Sequence, residues 1–358
     1  MAAPSLAATR MRRLGLADPA FDTPEAVVSW LGAVQAQDYF GSLWALGSRM
    51  RIATEAVVEQ AIAARRIVRT WPMRGTLHFV APADVRWMLG LLAPRVVAAN
   101  RARIERDLGL DAATLGRSRK LIEKALRDGD PMPRNDVYAV LDAAGIGSDR
   151  TRGQNITGWL AHQGVLCCGP RIGKQPSFVL LDAWIAATPA LSHDEALSRL
   201  ALRYFTGHGP ATVQDLAWWS GLTVRDAQRG AASVASRLQR IDIDGKTYWS
   251  APDVALVADA GAPQLLAPFD EYLVGYRDRS AAVEGARTRD VIGINGLVNP
   301  AIVIGGQVVG TWKRTLDKAA VNIDLAPFRA LKKAEVAAIK RAAKRYAGFI
   351  GRKPKLSA

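Results

Sequence analysis

The sequence predicts an α+β protein of tandem winged helices, each a helix-turn-helix followed by a β-hairpin, with a C-terminal β-rich element and a terminal helix. Three observations predict it. The same local programme of helix, turn, helix and two-stranded hairpin occurs more than once. Turn signals such as Asp244-Gly245 separate stretches that alternate in polarity. Finally, 48 Lys+Arg against 33 Asp+Glu leave a net charge of +15, which favours a polyanionic partner because each neutralised phosphate releases condensed counterions.

Residues 1–110 hold the first and most divergent copy. Thr23-Pro24-Glu25 and Thr54-Glu55 are helix starts. The apolar run ending in VQAQDYF reads as a helix closed by two uncharged amides, Gln35 and Gln37, and IVRTWPMRGTLHFV reads as a strand pair turning near Pro72. PADVRWMLGLLAPRVVAANRARIERDL is one long helical pattern. Residues 111–190 hold the second copy, with DVYAVLDAAG as first helix, TRGQNITGWLAHQG as recognition helix and VLCCGPRIGKQPSFVLL as wing. The third and clearest copy fills residues 191–260: Thr212 caps VQDLAWWSG, Gly221 breaks that helix, and Thr223 caps VRDAQRGAASVASRL. LQRIDIDGKTYWS then turns at Asp244-Gly245, the dipeptide suited to a type I′ hairpin. Residues 261–358 read as a C-terminal α+β element, β-rich over 263–327 in QLLAPFDEYLVGYRDR, in AIVIGGQVVGTWKRTL around Gly305-Gly306, and in VNIDL. A helix from about Lys333 to Tyr346 precedes a short basic tail, GRKPKLSA.

At 358 residues, 49% of them hydrophobic, the chain has room for two or three domains and a sizeable core. No apolar run approaches the roughly 20 residues that span a bilayer, and MAAPSLAATRMRRLG lacks the apolar core of a signal peptide. The expected location is therefore cytoplasmic and nucleoid-associated, with no membrane partner. Cys167 and Cys168 are adjacent, which offers neither a disulfide framework nor a metal-ligand spacing, and the four histidines are scattered. No GxSxG, HExxH, Walker loop or GxGxxG occurs, so no metal and no cofactor are expected. Repeated DNA-binding units in one chain remove the need for a second subunit to read a second half-site, so a monomer is expected.

In winged helices the second helix enters the major groove and the wing touches the backbone or minor groove. The candidate DNA contacts are accordingly Arg152 and Gln154 on the second copy's recognition helix, Arg171 and Lys174 at its wing tip, and Arg225 in the third copy. In MRGTLHFV, strand alternation places Arg74, Thr76 and His78 on one face; Arg74 and Thr76 suit phosphate, and His78 is a candidate supporting group for chemistry. Asp270 and Glu271 read either as a catalytic carboxylate or as half of a structural salt bridge, Asp278 and Arg279 as an ion pair, and His208 as a capping or hinge residue. Gln35 and Gln37 read either as partners for exposed carbonyls at a helix end or as a reaction site. Asp38 follows them directly, and would be the stronger base if it faced a substrate.

VQAQDYFGSLWALGSRM, RTWPMRGTLHFV, GHGPATVQDLAWWSGL, APFDEYLVGYRDR and VVGTWKR together closely resemble the AlkZ-like DNA glycosylase family of winged-helix proteins, from about Pro24 to Tyr346. In that family a Gln-apolar-Gln motif, or Gln-apolar-Asp in a sister branch, marks the site where the N-glycosidic bond of an alkylated purine is hydrolysed. Gln35-Ala36-Gln37 matches the first form. The resemblance implies a monofunctional glycosylase acting on double-stranded DNA with N7-alkylated, bulky or cross-linked bases, the two amides holding water near the sugar C1′ and a hairpin entering the duplex beside the lesion. The alternative is a winged-helix DNA-binding protein without chemistry, a regulator or a damage sensor.

Overall fold

The computed structural model describes residues 4–357, and its architecture is mixed α+β, as the sequence predicts. The first stretch comprises α1 (Leu6–Arg13), α2 (Pro24–Leu31), β1 (Ala33–Gln35), α3 (Tyr39–Gly47) and α4 (Glu55–Ala63). Ser5, Thr23 and Asp38 start the first three helices by accepting an N–H that the helix itself leaves unpaired. The middle stretch comprises β2 (Val68–Met73), β3 (Thr76–Val80), α5 (Pro82–Leu108), α6 (Ala112–Ala125), β4 (Met132–Pro133), α7 (Arg134–Ala143), α8 (Arg150–His162), β5 (Leu166–Ile172), β6 (Gln175–Leu180) and α9 (Leu181–Trp184). The last comprises α10 (His193–His208), α11 (Val213–Ser220), α12 (Val224–Ser233), β7 (Gln239–Ile243), β8 (Lys246–Ser250), β9 (Gln264–Leu266), α13 (Glu271–Val274), α14 (Thr288–Val291), β10 (Ala301–Ile304), β11 (Gln307–Leu316), β12 (Ala320–Pro327), α15 (Lys333–Phe349) and β13 (Lys353–Ser357). These elements form two compact units, one of Glu59–Ala196 and one joining Met1–Val58 to Leu197–Ala358. Division of the sequence by local motif, at 110, 190 and 260, is a different partition.

In the unit of Glu59–Ala196 the strands run in the order β3-β2-β5-β6-β4. Ile122, Leu141, Ile156, Leu160, Leu166 and Phe178, from five of its helices and strands, pack into one core. The β2–β3 turn falls at Arg74-Gly75, two residues past Pro72. Both turn residues have positive φ, 55° and 71°, as a type I′ hairpin requires. Pro72 lies inside β2, where the pairing register shifts between Thr70 and Met73; a residue with no N–H is tolerated where the ladder is interrupted. Arg152 on α8 donates to the carbonyls of Gly147 at 3.3 Å and Ile146 at 2.8 Å, and also to that of Leu108. Its guanidinium therefore ties the start of α8 to the loop before it and to the end of α5.

In the other unit, Thr212 and Asp215 form a reciprocal cap on α11, and Gly221 ends that helix in the left-handed region. β7 and β8 pair around Asp244-Gly245, with φ of 49° and 72°. A five-stranded sheet runs β13-β12-β11-β10-β9. The basic tail expected after α15 is in fact partly a strand, since β13 pairs parallel to β12 from Ala320↔Lys353 to Asp324↔Ser357. The ladder is a main-chain interaction and needs no apolar side chains, so exposed lysines were a poor guide to it.

The core of this unit holds an ion pair. Arg49 and Asp270 are both 0% exposed, and their contact is bidentate, with Nη1 to Oδ2 at 2.9 Å and Nη2 to Oδ1 at 2.8 Å. Arg49 also donates to the Leu14 carbonyl at 2.9 Å and to that of Ala45 at 2.7 Å. A desolvated guanidinium is tolerated only when its N–H groups are met in this way.

Two outcomes are expected. Arg49→Met strands the Asp270 carboxylate and lowers the unfolding free energy by about 3–5 kcal/mol, measured by urea denaturation. Arg152→Ala removes charge-assisted bonds to three carbonyls and lowers stability by about 1–3 kcal/mol, measured the same way, while duplex affinity by fluorescence anisotropy stays at the wild-type value.

Candidate active site

The glutamine pair does not close a helix. α2 ends at Leu31, and Gly32, at φ 77°, turns the chain into β1; a side chain would be strained in that conformation. Gln35 is the last residue of β1, and the next helix begins only after Asp38. Gln-Ala-Gln thus occupies a short non-helical link anchored at both ends. At the far end, Asp38 accepts the Gly41 N–H at 2.7 Å. Its carboxylate is a helix cap on a solvent-facing residue. Gly41 permits the close packing behind the link, because a Cβ there would lie 2.6 Å from Cγ of Pro268.

At the near end, the main-chain N–H of Gln35 donates to Oε1 of Glu271 at 3.0 Å. Glu271 is 0% exposed. Its other oxygen receives Nε1–H of Trp219 at 2.9 Å and meets Nε2 of His208 at 3.2 Å. His208 and Trp219 are themselves fully buried, and the imidazole stacks on Tyr204 with centroids 4.8 Å apart and 14° between planes. Burial pushes the Tyr204 and Tyr276 phenols well above their usual range, so both serve as neutral donors, to the carbonyls of Gly275 at 2.7 Å and His208 at 2.8 Å. The imidazole must carry its proton on Nε2 to serve the carboxylate. The His208 expected as a cap or hinge is therefore the inner partner of a buried carboxylate.

Gln35 keeps 7% of its surface exposed, Ala36 none, and Gln37 faces solvent. Among the described residues no hydrogen bond engages the Gln35 side chain, whose main-chain N–H is the group held by Glu271. Beside this link opens a cleft of about 270 Å³ lined by Asp38, Phe40, Trp44, Trp312, Arg314 and Tyr346, among others. Phe40 is 38% exposed, whereas Trp44 and Trp312 are nearly buried. Lys313 and Arg314 come from β11, whose hairpin with β12 ends in exposed residues Leu316 to Ala319.

The unit that holds Gln35, Gln37 and Asp38 also holds Arg225, exposed on α12. The other candidate DNA contacts, and His78, fall in the unit of Glu59–Ala196. There, Gln154 and Lys174 are exposed, and Arg171 is half-buried with its guanidinium donating to the Lys174 carbonyl. Thr76 is half-buried at the start of β3, while Arg74 is in the turn and so does not share a strand face with it. His78 is fully buried, Nδ1 lying 2.9 Å from the Thr76 carbonyl; its ring is out of reach of a substrate. Asp278 pairs with Lys246 at 2.9 Å, not with Arg279, whose guanidinium lies over the Trp218 ring. Hydrogen bonds from Ser280 and Lys246 hold the Asp278 carboxyl below the usual carboxylate range. Sequence reasoning missed Glu271 as a partner of the glutamines. The two stand 236 positions apart, and no periodicity links a strand residue to a four-residue helix at that separation.

A family model described as "DNA glycosylase AlkZ-like" matches residues 28–349. The chain is 26% identical over 325 residues to an interstrand DNA cross-link repair glycosylase of Streptomyces sahachiroi, covering 86% of each chain. The solved structure of the Streptomyces sahachiroi DNA glycosylase AlkZ has the same fold, with a TM-score of 0.78 over 100% of both chains at 23% identity. With the match extending over the glutamine link, the Glu271 cluster and the cleft, the chain belongs to the AlkZ-like DNA glycosylase family.

Proposed function

We propose that the protein hydrolyses the N-glycosidic bond of N7-alkylated purines in duplex DNA, bulky and cross-linked adducts included, with one water positioned by Gln35 and Gln37. The observation that carries the reading is the clamped link. Glu271 fixes the main chain of Gln35, the Asp38 cap fixes the chain beyond Gln37, and the Gln35 amide has no partner of its own among the described residues. The related Streptomyces protein bears the name of an interstrand cross-link repair glycosylase, which supports the extension to cross-links.

A carboxamide is essentially non-basic, so neither glutamine takes the proton of water as a carboxylate would. The substrate supplies what the amides lack. Alkylation at N7 leaves the base cationic, so that cleavage of the C1′–N9 bond returns an electron pair to a positive ring and releases a neutral alkylpurine. The sugar passes through an oxocarbenium-like state; the oxygen of water bonds to C1′, and its surplus proton passes to solvent. Two amide oxygens accepting from that water orient its lone pair, a saving in positional entropy, and their dipoles favour the developing cation. Unmodified purines have no such leaving group, so selectivity follows in part from the lability of the lesion.

The helix, short strand, helix, helix and hairpin of α6-β4-α7-α8-β5-β6, and the α11-α12-β7-β8 series, are the winged-helix units of this reading. Gln154, Lys174 and Arg225 are its exposed DNA contacts. The β11–β12 hairpin enters the duplex beside the lesion. The enzyme is monofunctional: the nucleophile is water, and Lys313 of the cleft serves phosphate.

The test is single-turnover incubation with a duplex carrying N7-methylguanine. The expected result is free base together with an alkali-labile abasic site, and no borohydride-trapped covalent complex. Gln35→Ala and Gln37→Ala each slow release by about 10²–10³-fold while duplex affinity persists. Duplex binding with no release from methylated or cross-linked substrates would replace the reading with that of a non-catalytic DNA-binding protein.

A further inference from the structure

Four facts converge at one place in the fold. The Glu271 carboxylate is fully buried, one oxygen holds the N–H of Gln35, the other holds the Trp219 indole and the His208 imidazole, and none of these three residues is called on by the chemistry above. We infer that Glu271 is the positioning residue of the glutamine pair, with Trp219 and His208 as the brace that fixes its orientation. The inference rests on the reading of Gln35 and Gln37 as the water-holding residues, and adds to it the part that aims them.

Burying a carboxylate is costly, so a chain that merely needed to end a three-residue strand had cheaper ways to do so. A neutral acceptor would satisfy the Gln35 N–H. What a carboxylate adds is strength and direction: a hydrogen bond to a charged acceptor is shorter and roughly twice as strong as a neutral one. The orientation is over-determined. Trp219 belongs to α11 and His208 to the end of α10, and both meet the oxygen opposite the one held by Gln35, so rotation of the carboxylate about its last torsion would break three bonds at once. Space is closed as well, since a Cβ on Gly275 would lie 2.5 Å from the Glu271 carbonyl and 2.9 Å from Cδ2 of His208. The main chain at Gln35 is thus referred to the core of its unit, which is the rigidity that a site working by position needs.

The group must also be a carboxylate. Glu271→Gln has the same shape but only one oxygen: if that oxygen faces Gln35, the new NH2 confronts the indole N–H, and if the amide is flipped, it confronts the Gln35 N–H. Glu271→Asp keeps the charge but shortens the reach to Gln35. Both substitutions displace the link without touching the glutamines.

The experiment uses the full-length protein and two readouts. The first is hydrogen exchange of the Gln35 amide by nitrogen-15 NMR: it is protected in the wild type and loses protection in Glu271→Gln and Glu271→Asp, while amides of the five-stranded sheet keep theirs. The second is single-turnover release of N7-methylguanine at saturating enzyme, below the melting temperature of each variant, where a displacement of the order of 1 Å lowers the rate by about 10²-fold and leaves duplex affinity unchanged. Unchanged Gln35 protection in either folded variant overturns the inference, and so does a rate close to that of the wild type despite lost protection. If one variant does not fold, the other carries both readouts. If the wild type releases no base at all, the proposed reaction fails, and the exchange measurement still decides whether Glu271 holds the link.

Discussion

Two consecutive carboxylates, Asp270 and Glu271, sit without solvent at the start of a four-residue helix, and much of one unit is arranged to make that tolerable. Their side chains leave the chain in different directions. Asp270 meets Arg49, beyond the end of α3, and Glu271 meets Gln35, His208 and Trp219. Each ionised group removed from water must be matched by donors of fixed geometry. The matching therefore sets where the early segment from Pro24 to Arg49 lies against α10 and α11. A hydrophobic contact would tolerate sliding by a fraction of a residue; a bidentate guanidinium does not.

This arrangement suits the proposed reaction, which asks for place more than for proton transfer. A strong base adds the driving force of proton transfer to whatever positioning supplies. Two amides have no such reserve. On the proposed reading the working part is correspondingly short, and the apparatus beneath it comparatively large, drawing on α10, α11 and α13 to hold one peptide N–H.

Local rules carried the sequence reading wherever the relevant partners were close in the chain. Thr212 announces a helix cap, Asp244-Gly245 announces a turn, and both are found. The turn expected near Pro72 falls two residues later because a proline is equally at home in a bulge, and the Arg74-Gly75 turn has no signature of its own beyond the glycine. The glutamine link was read as a helix end because the apolar run before it is helical as far as Leu31, and only the φ of Gly32 separates the two. Arg152 was read as a DNA contact from its place on α8, yet the carbonyls that occupy it lie in the loop before that helix and at the end of α5. Family resemblance marked Gln35 and Gln37. It did not mark Glu271 as their support, because that relation exists only once segments hundreds of residues apart are folded together.

The discontinuity of the unit that carries the glutamines has a consequence for biosynthesis. Glu59–Ala196 is an unbroken stretch, so it can acquire its core as it leaves the ribosome. Met1–Val58 emerges earlier but waits for Leu197–Ala358, and until then Arg49 has no counter-ion and the Gln35 amide no acceptor. The nascent chain thus passes through an interval in which its most charge-dependent segment is held only by solvent and chaperones. Slowing translation past Ala196 would lengthen that interval without altering a single residue.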